Sequence, residues 1–228
     1  MADEPEIALS GGRMTSGVVR VGETVRRPQT PNSDFVRRLL RHLAANGFDG
    51  APAYLGSDER GRDVLSFIDG EVPGDLGFHD DETLRRAAML IRRFHDLGRG
   101  LVDATDAEIV CHNDLSPCNF VFRGGAPVAI IDFDAAAPGT RVHDLGYAAW
   151  LWLDIGSPEI SAPEQRRRLA VFLDSYGTRE PDAVLTAILE RQQMLAAEGR
   201  RTGNAGLAQW AAGCRRWTCA NFDVLRVS

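Results

Sequence analysis

Eight consecutive residues, His112-Asn113-Asp114-Leu115-Ser116-Pro117-Cys118-Asn119, hold the densest set of polar, chemistry-bearing side chains in the chain, and Ile130-Ile131-Asp132-Phe133-Asp134 follows soon after. Between them, Phe120-Val121-Phe122 reads as a strand, Arg123 to Pro127 as a turn and Val128 to Ile131 as a second strand. A hairpin centred on Gly125 and Ala126 pairs Phe122 with Ala129, Val121 with Ile130 and Asn119 with Asp132. An amide oxygen and a carboxylate then lie side by side at the open end, with Asp114 on the loop just before them. Hard oxygen ligands of this kind suit Mg²⁺, which takes one or two protein carboxylates and keeps its other positions for water and phosphate oxygens. A further carboxylate outside that pair can orient a hydroxyl and accept its proton. Together these are the working parts of phosphoryl transfer.

The elements that must position this set fall into two textures. Residues 7 to about 70 read as short strands plus one helix. Gly17 to Val21 and Thr24 to Arg27 flank Gly22-Glu23 as a hairpin, and Asp34 caps a helix with apolar positions Phe35, Leu39, Leu40 and Leu43, ending at Asn46-Gly47. Val64 to Ile68 is another strand. From Asp80 the chain turns helical: Leu84, Ala87, Ala88, Ile91 and Phe94 recur at helical spacing up to Gly98. After the hairpin come helices near 144–153, 163–176, 182–197 and 204–222. The expected organisation is α+β, with residues 1–70 as a small β-rich lobe, a hinge near Asp69 to Pro73, and residues 71–228 as a larger, mostly helical lobe.

Composition narrows the chemistry. All 26 basic residues are arginine, and lysine is absent. Schiff-base enzymes, Ser-Lys hydrolases and Walker-type phosphate loops, which all need a lysine, are thereby excluded. A net charge of −6 argues against a nucleic-acid partner. No segment approaches the roughly 20 apolar residues of a membrane span. The acidic start, Met1-Ala2-Asp3-Glu4-Pro5-Glu6, lacks the apolar core of a signal peptide, so a cytoplasmic location is expected. Cys111, Cys118, Cys214 and Cys219 form no C-x-x-C pair and read as reduced thiols.

The pattern H-x-D-x-x-x-x-N followed by I-D-x-D resembles the aminoglycoside phosphotransferase family, a small-molecule branch of the protein-kinase-like fold that choline kinases also resemble. The resemblance extends over nearly the whole chain and is most specific in the catalytic segment. It implies an ATP- or GTP-dependent phosphotransferase acting on a hydroxyl of a small molecule, with Asp114 as base and Mg²⁺ on Asn119 and Asp132. Leu9-Ser10-Gly11-Gly12 looks like the start of the loop covering the nucleotide, with Gly11 and Gly12 as candidate contacts. Phe67-Ile68-Asp69-Gly70 looks like the hinge, where backbone groups of Phe67 and Asp69 would hold the base. His143-Asp144-Leu145-Gly146-Tyr147 resembles a downstream family segment, and implies that Asp144 orients the loop of His112.

Three positions depart from the family pattern. The strand lysine that contacts the phosphates is replaced by Arg26 or Arg27. The family pattern favours Arg26, whereas strand alternation does not choose between them. The helix that should carry a partner glutamate offers Arg37, Arg38 and Arg41 as its charges over residues 35–43. The third departure is Leu-Ser-Pro-Cys in the catalytic loop, which sets Cys118 beside Asn119. His112 is a candidate catalytic residue but also suits a loop-orienting role, and Asp134 is either a metal ligand or a support behind one.

Other readings explain less. A His/Asp phosphohydrolase leaves Asn119 idle, and a DxD glycosyltransferase on Asp132-Phe133-Asp134 leaves His112, Asp114 and Asn119 idle. A pseudokinase that binds nucleotide or metabolite without turnover is the alternative that the missing lysine and glutamate raise. The acceptor is expected near residues 144–160 and 190–217, where acidic and arginine side chains offset one another. The four tryptophans read mainly as core.

Overall fold

The computed structural model describes residues 5–9, 17–102 and 107–227. Its first part is a five-stranded antiparallel sheet built from β1 (Ile7–Ala8), β2 (Val19–Val21), β3 (Thr24–Arg27), β4 (Tyr54–Ser57) and β5 (Asp63–Ser66), in the order β1-β2-β3-β5-β4. The β2–β3 hairpin turns at Gly22-Glu23 as the sequence suggests. Helix α1 (Ser33–Ala45) buries Val36, Leu39, Leu40 and Leu43, one apolar stripe of the helical repeat. Its N-cap is Asn32 rather than the expected Asp34. Asp34 sits in the first turn, where its carboxylate takes Arg37 Nη1 at 2.9 Å.

A connecting segment then runs from Phe67 towards α2 (Asp81–Gly98). Glu71 exchanges two backbone hydrogen bonds with Phe122, at 2.8 and 2.7 Å, so the hinge adds an edge to the catalytic hairpin. That approach requires glycine at position 70. Its φ is +146°, and a Cβ there would stand 2.4 Å from the Phe122 carbonyl oxygen.

The larger, helical part is centred on α2, whose Leu84, Ala87, Ala88, Ile91 and Phe94 are buried, with Asp80 accepting the Thr83 N–H as its cap. Two small antiparallel pairs lie against it: β6 (Ile109–Cys111) with β9 (Ala137–Gly139), and β7 (Phe120–Arg123) with β8 (Ala126–Ile130). Helices α3 (Arg141–Leu153), α4 (Ala162–Tyr176), α5 (Pro181–Arg201), α6 (Ala205–Ala220) and α7 (Phe222–Leu225) complete the layer. Trp150 and Trp152 are core, as expected, whereas Trp210 is partly exposed and stacks on Trp150 at 5.0 Å. No helix among the described residues is long and apolar enough to cross a membrane.

The catalytic hairpin differs from the expected register. Gly124 and Gly125 both adopt positive φ and make a two-residue turn, so Arg123 pairs with Ala126 and Phe122 with Pro127. A bulge then shifts the register, giving Val121 with Ala129 and Phe120 with Ile130. Asn119 therefore meets Ile131, whose N–H donates to its carbonyl at 2.9 Å, and Asp132 lies one residue beyond.

Candidate active site

Two carboxamide or carboxylate residues of the site stand at strained backbone positions. Asn113 and Asp132 have φ of +67° and +63°, the left-handed region that Asn and Asp tolerate best among non-glycine residues. Both are held there by buried partners. Asp144 on α3 is fully buried and accepts the N–H of His112 at 2.7 Å and of Asn113 at 2.8 Å. Its second neighbour is His95 of α2, also fully buried, at 3.1 Å. Burial alone would raise the Asp144 carboxyl, but hydrogen bonds and the nearby imidazoles hold it below its ordinary value. The loop-orienting role that the resemblance implies for Asp144 thus has a direct geometric basis.

His112 is placed differently from a catalytic side chain. Its Nε2 lies 3.0 Å from the Ile131 carbonyl, its Nδ1 accepts the Asp114 N–H at 3.2 Å, and the residue is fully buried. Both ring nitrogens are committed to backbone. Burial pushes the imidazole below its usual value, and a neutral ring is the form that accepts one bond and donates the other. His112 therefore positions the loop and the strand end opposite it, and the assignment as a catalytic residue is corrected.

Asp114 is joined to Asn119, and Asn119 shares a cavity wall with Asp132. Asn119 Nδ2 donates to Asp114 Oδ2 and to the Asp114 carbonyl, both at 2.8 Å, and Tyr147 Oη donates to Asp114 Oδ1 at 2.9 Å. Asn119 and Asp132 line a cavity of about 350 Å³ whose other walls include Val18, Val25, Leu65, Val121 and Ile131. One end is polar and the rest largely apolar.

The arginine at the polar end is Arg27. It is buried, and Nη2 donates to Asp132 Oδ1 at 3.2 Å and to Asp134. Arg26, which the family pattern favours, points to the other face of β3: it bonds Thr24 Oγ1 at 2.6 Å and lies 3.8 Å from Asp58. The expectation for Arg26 is therefore corrected to Arg27. Alternation along a strand puts successive side chains on opposite faces, and only the packed sheet shows which face is the cavity.

Phe67 lines the cavity, with the Arg20 guanidinium 3.6 Å over its ring, but its N–H is given to the Glu23 carbonyl at 2.9 Å. Asp69 is exposed and outside the cavity lining, and its carbonyl accepts Arg123 at 3.0 Å, which corrects its expected place in the hinge contact. Gly11 and Gly12 lie outside the described residues.

Several supports were not read from the sequence. Tyr147 sits three residues after Asp144 on α3, a spacing that shares a helix face and was available as a signal. Arg191 of α5 stacks 4.3 Å over the Tyr147 ring and donates to the Asn113 carbonyl at 2.8 Å and towards His143 Nε2 at 2.6 Å. Asn32 Nδ2 donates to the carbonyls of Asp134 and Ala136, both at 2.9 Å. No local pattern announces these long-range contacts.

Hard oxygens are the donor set available for a cation: the carbonyl oxygen of the Asn119 amide, whose nitrogen is used on Asp114, and the Asp132 carboxylate. Among the described residues no group of three or more His, Cys, Asp or Glu could hold a metal ion by itself.

Known proteins share sequence and fold with this chain. A family model described as a phosphotransferase enzyme family matches residues 99–184, which contain the catalytic loop, the hairpin and α3. The trifolitoxin immunity protein of Rhizobium leguminosarum bv. trifolii is 35% identical over 75% of this chain and 74% of its own length. Among solved structures, choline kinase from Cryptosporidium parvum superposes with a TM-score of 0.65 at 13% identity, over 96% of this chain and 89% of that one. The GDP complex of aminoglycoside 2'-phosphotransferase-IIIa gives 0.62 at 16% identity, over 97% and 94%. The chain thus belongs to the phosphotransferase enzyme family and has its protein-kinase-like fold.

Proposed function

We propose that this chain moves the γ-phosphoryl group of ATP or GTP to a hydroxyl of a small molecule. The observation that carries the reading is that Asn119 and Asp132 line the arginine end of an otherwise apolar cavity, with Asp114 hydrogen-bonded to Asn119 behind them. A purine suits the apolar walls, which include Phe67 and Ile68, and the phosphates then extend towards Arg27. Asn119 and Asp132 would hold Mg²⁺, which when bound neutralises charge on the phosphate oxygens.

Asp114 is the base. Donors from Tyr147 and Asn119 fix both of its oxygens, so its orientation is set before a substrate arrives. As the acceptor oxygen bonds to the γ-phosphorus and the bond to the β-phosphate oxygen breaks, the hydroxyl proton passes to Asp114. The nucleoside diphosphate leaves with the bond's electron pair. Arg27 stabilises negative charge on the phosphates by charge-assisted hydrogen bonds.

The test is Mg²⁺-dependent release of nucleoside diphosphate across a panel of hydroxyl compounds. Aminoglycosides and choline belong in it because the fold's neighbours are named for them, and toxins because the 35% identical relative is named for immunity to one. Asp114→Asn is expected to slow transfer about 10²–10⁴-fold while leaving nucleotide affinity within about threefold. Equal transfer by wild type and Asp114→Asn would remove the base assignment. Tight nucleotide binding with no transfer to any acceptor would assign the chain a binding role instead.

A further inference from the structure

In a cavity of this kind the phosphate-facing cation must be aimed, and α1 does not aim it. The acid at the start of that helix, Asp34, is exposed and paired with Arg37. The nearest carboxylate of the sheet is Asp63, directly across from Arg27 in the β3–β5 register. It is buried, but its Oδ1 already accepts Arg37 at 2.9 Å from Nε and 2.6 Å from Nη2. The carboxylates that meet Arg27 are Asp132 and Asp134, both from the loop after β8. Of these, Asp132 belongs with the candidate cation ligands.

We propose that Asp134 is the positioning residue for Arg27, holding its guanidinium towards the nucleotide phosphates. This rests on the reading of the cavity as a nucleotide site. The loop that carries Asp134 is itself pinned to the start of α1, because Asn32 Nδ2 takes the Asp134 and Ala136 carbonyls. Arg27 Nε is buried without a hydrogen-bond partner, so the direction of the guanidinium rests on the contacts of Nη2 with Asp132 and Asp134. The orienting acid thus comes not from α1, whose one acid Asp34 is exposed and paired with Arg37, but from the far side of the cavity.

A double-mutant cycle tests the assignment, with Arg27→Gln, Asp134→Asn and the pair, and with Asp134→Glu as the charge-retaining control. ATP affinity is measured with and without Mg²⁺, Mg²⁺ is titrated at fixed ATP, and urea midpoints check that each variant is folded. Each single charge removal is expected to weaken ATP binding about tenfold, the order of one charged hydrogen bond, both with and without Mg²⁺. The double variant should bind no more weakly than Arg27→Gln alone, since both changes break one link. Asp134→Glu should stay within about threefold of wild type. Additive losses, or unchanged ATP affinity in Asp134→Asn, would overturn the proposal. So would a raised Mg²⁺ requirement in Asp134→Asn that persists in the Arg27→Gln background, which would make Asp134 a metal ligand. A wild type that binds no nucleotide would overturn the proposed function and this assignment together, whereas additivity in a wild type that binds overturns this one alone.

Discussion

On one side of the cavity, the catalytic loop hangs from three fully buried side chains: Asp144 takes two successive backbone N–H groups, His95 sits against Asp144, and His112 ties the loop to Ile131. On the other side, β1 is exposed, β2 is half-buried, and the sheet reaches the loop after β8 through a few polar links from Arg27 and Asn32. The first side is over-determined, so that two strained residues can be kept in place. The second rests on fewer links. On the proposed function, the first side would present the base rigidly and the second, the more adjustable, would grip the nucleotide, and the chain gives the two sides different amounts of burial.

Removing the buried acid strikes the rigid side hardest. Asp144→Ala leaves two backbone N–H groups and the His95 ring without their acceptor, and is expected to cost about 3–5 kcal/mol in urea unfolding. A loss below about 1 kcal/mol would show that the loop does not depend on this carboxylate.

At the junction of the two sides, Gly70→Ala adds a Cβ against the Phe122 carbonyl and the Val121 side chain, which lines the cavity. A loss of about 1–3 kcal/mol and about tenfold weaker ATP binding are expected together. Weaker binding with no change in stability would place the effect outside the hinge.

The buried imidazole makes the rigid side sensitive to acid. Burial holds His112 below the usual value near 6.5, against the pull of Asp144, Asp114 and Asp132. Between the folded and unfolded values, the unfolded chain binds the extra proton. Stability therefore falls as pH drops below about 6.5, by up to about 1.4 kcal/mol per pH unit for each such group. His79 and His143 shift the same way, first through burial. Urea unfolding across about pH 7.5 to 5 should lose one such slope in His112→Asn. An unchanged profile would mean that His112 is protonated in the folded state.

The smallest effect falls on the adjustable side, away from the cavity. Arg26→Ala breaks a contact to Thr24 and a 3.8 Å pair with Asp58, and should leave ATP affinity within about twofold and stability within about 0.5 kcal/mol. An Arg26→Ala loss as large as that of Arg27→Gln would reverse the assignment between the two arginines.

Much of this was legible in the residue order. Helices α1 and α2 end where glycine and the apolar stripe end, and α2 begins at the cap that Asp80 supplies. Asp114, Asn119 and Asp132 stood out because type and spacing recur around one hairpin. The hairpin's register did not, because the turn falls on Gly124-Gly125, which moves the pairing of Phe122 by two residues, and a bulge that strand patterning does not reveal then takes one back. Asp69 was misplaced for a similar reason: a local motif names the hinge but not the direction in which each residue of an extended segment faces.

The sequence by itself determined which cation β3 can offer: a chain without lysine that carries the His-x-Asp and Ile-Asp-x-Asp segments has only arginine to place there. Which arginine, and against which acid, was decided by the tertiary structure. Arg27 and Asp134 are 107 residues apart and meet only when the sheet packs over the loop after β8. A single strand encodes its alternation, but the face that becomes the cavity wall is fixed by what the rest of the chain places on either side of it.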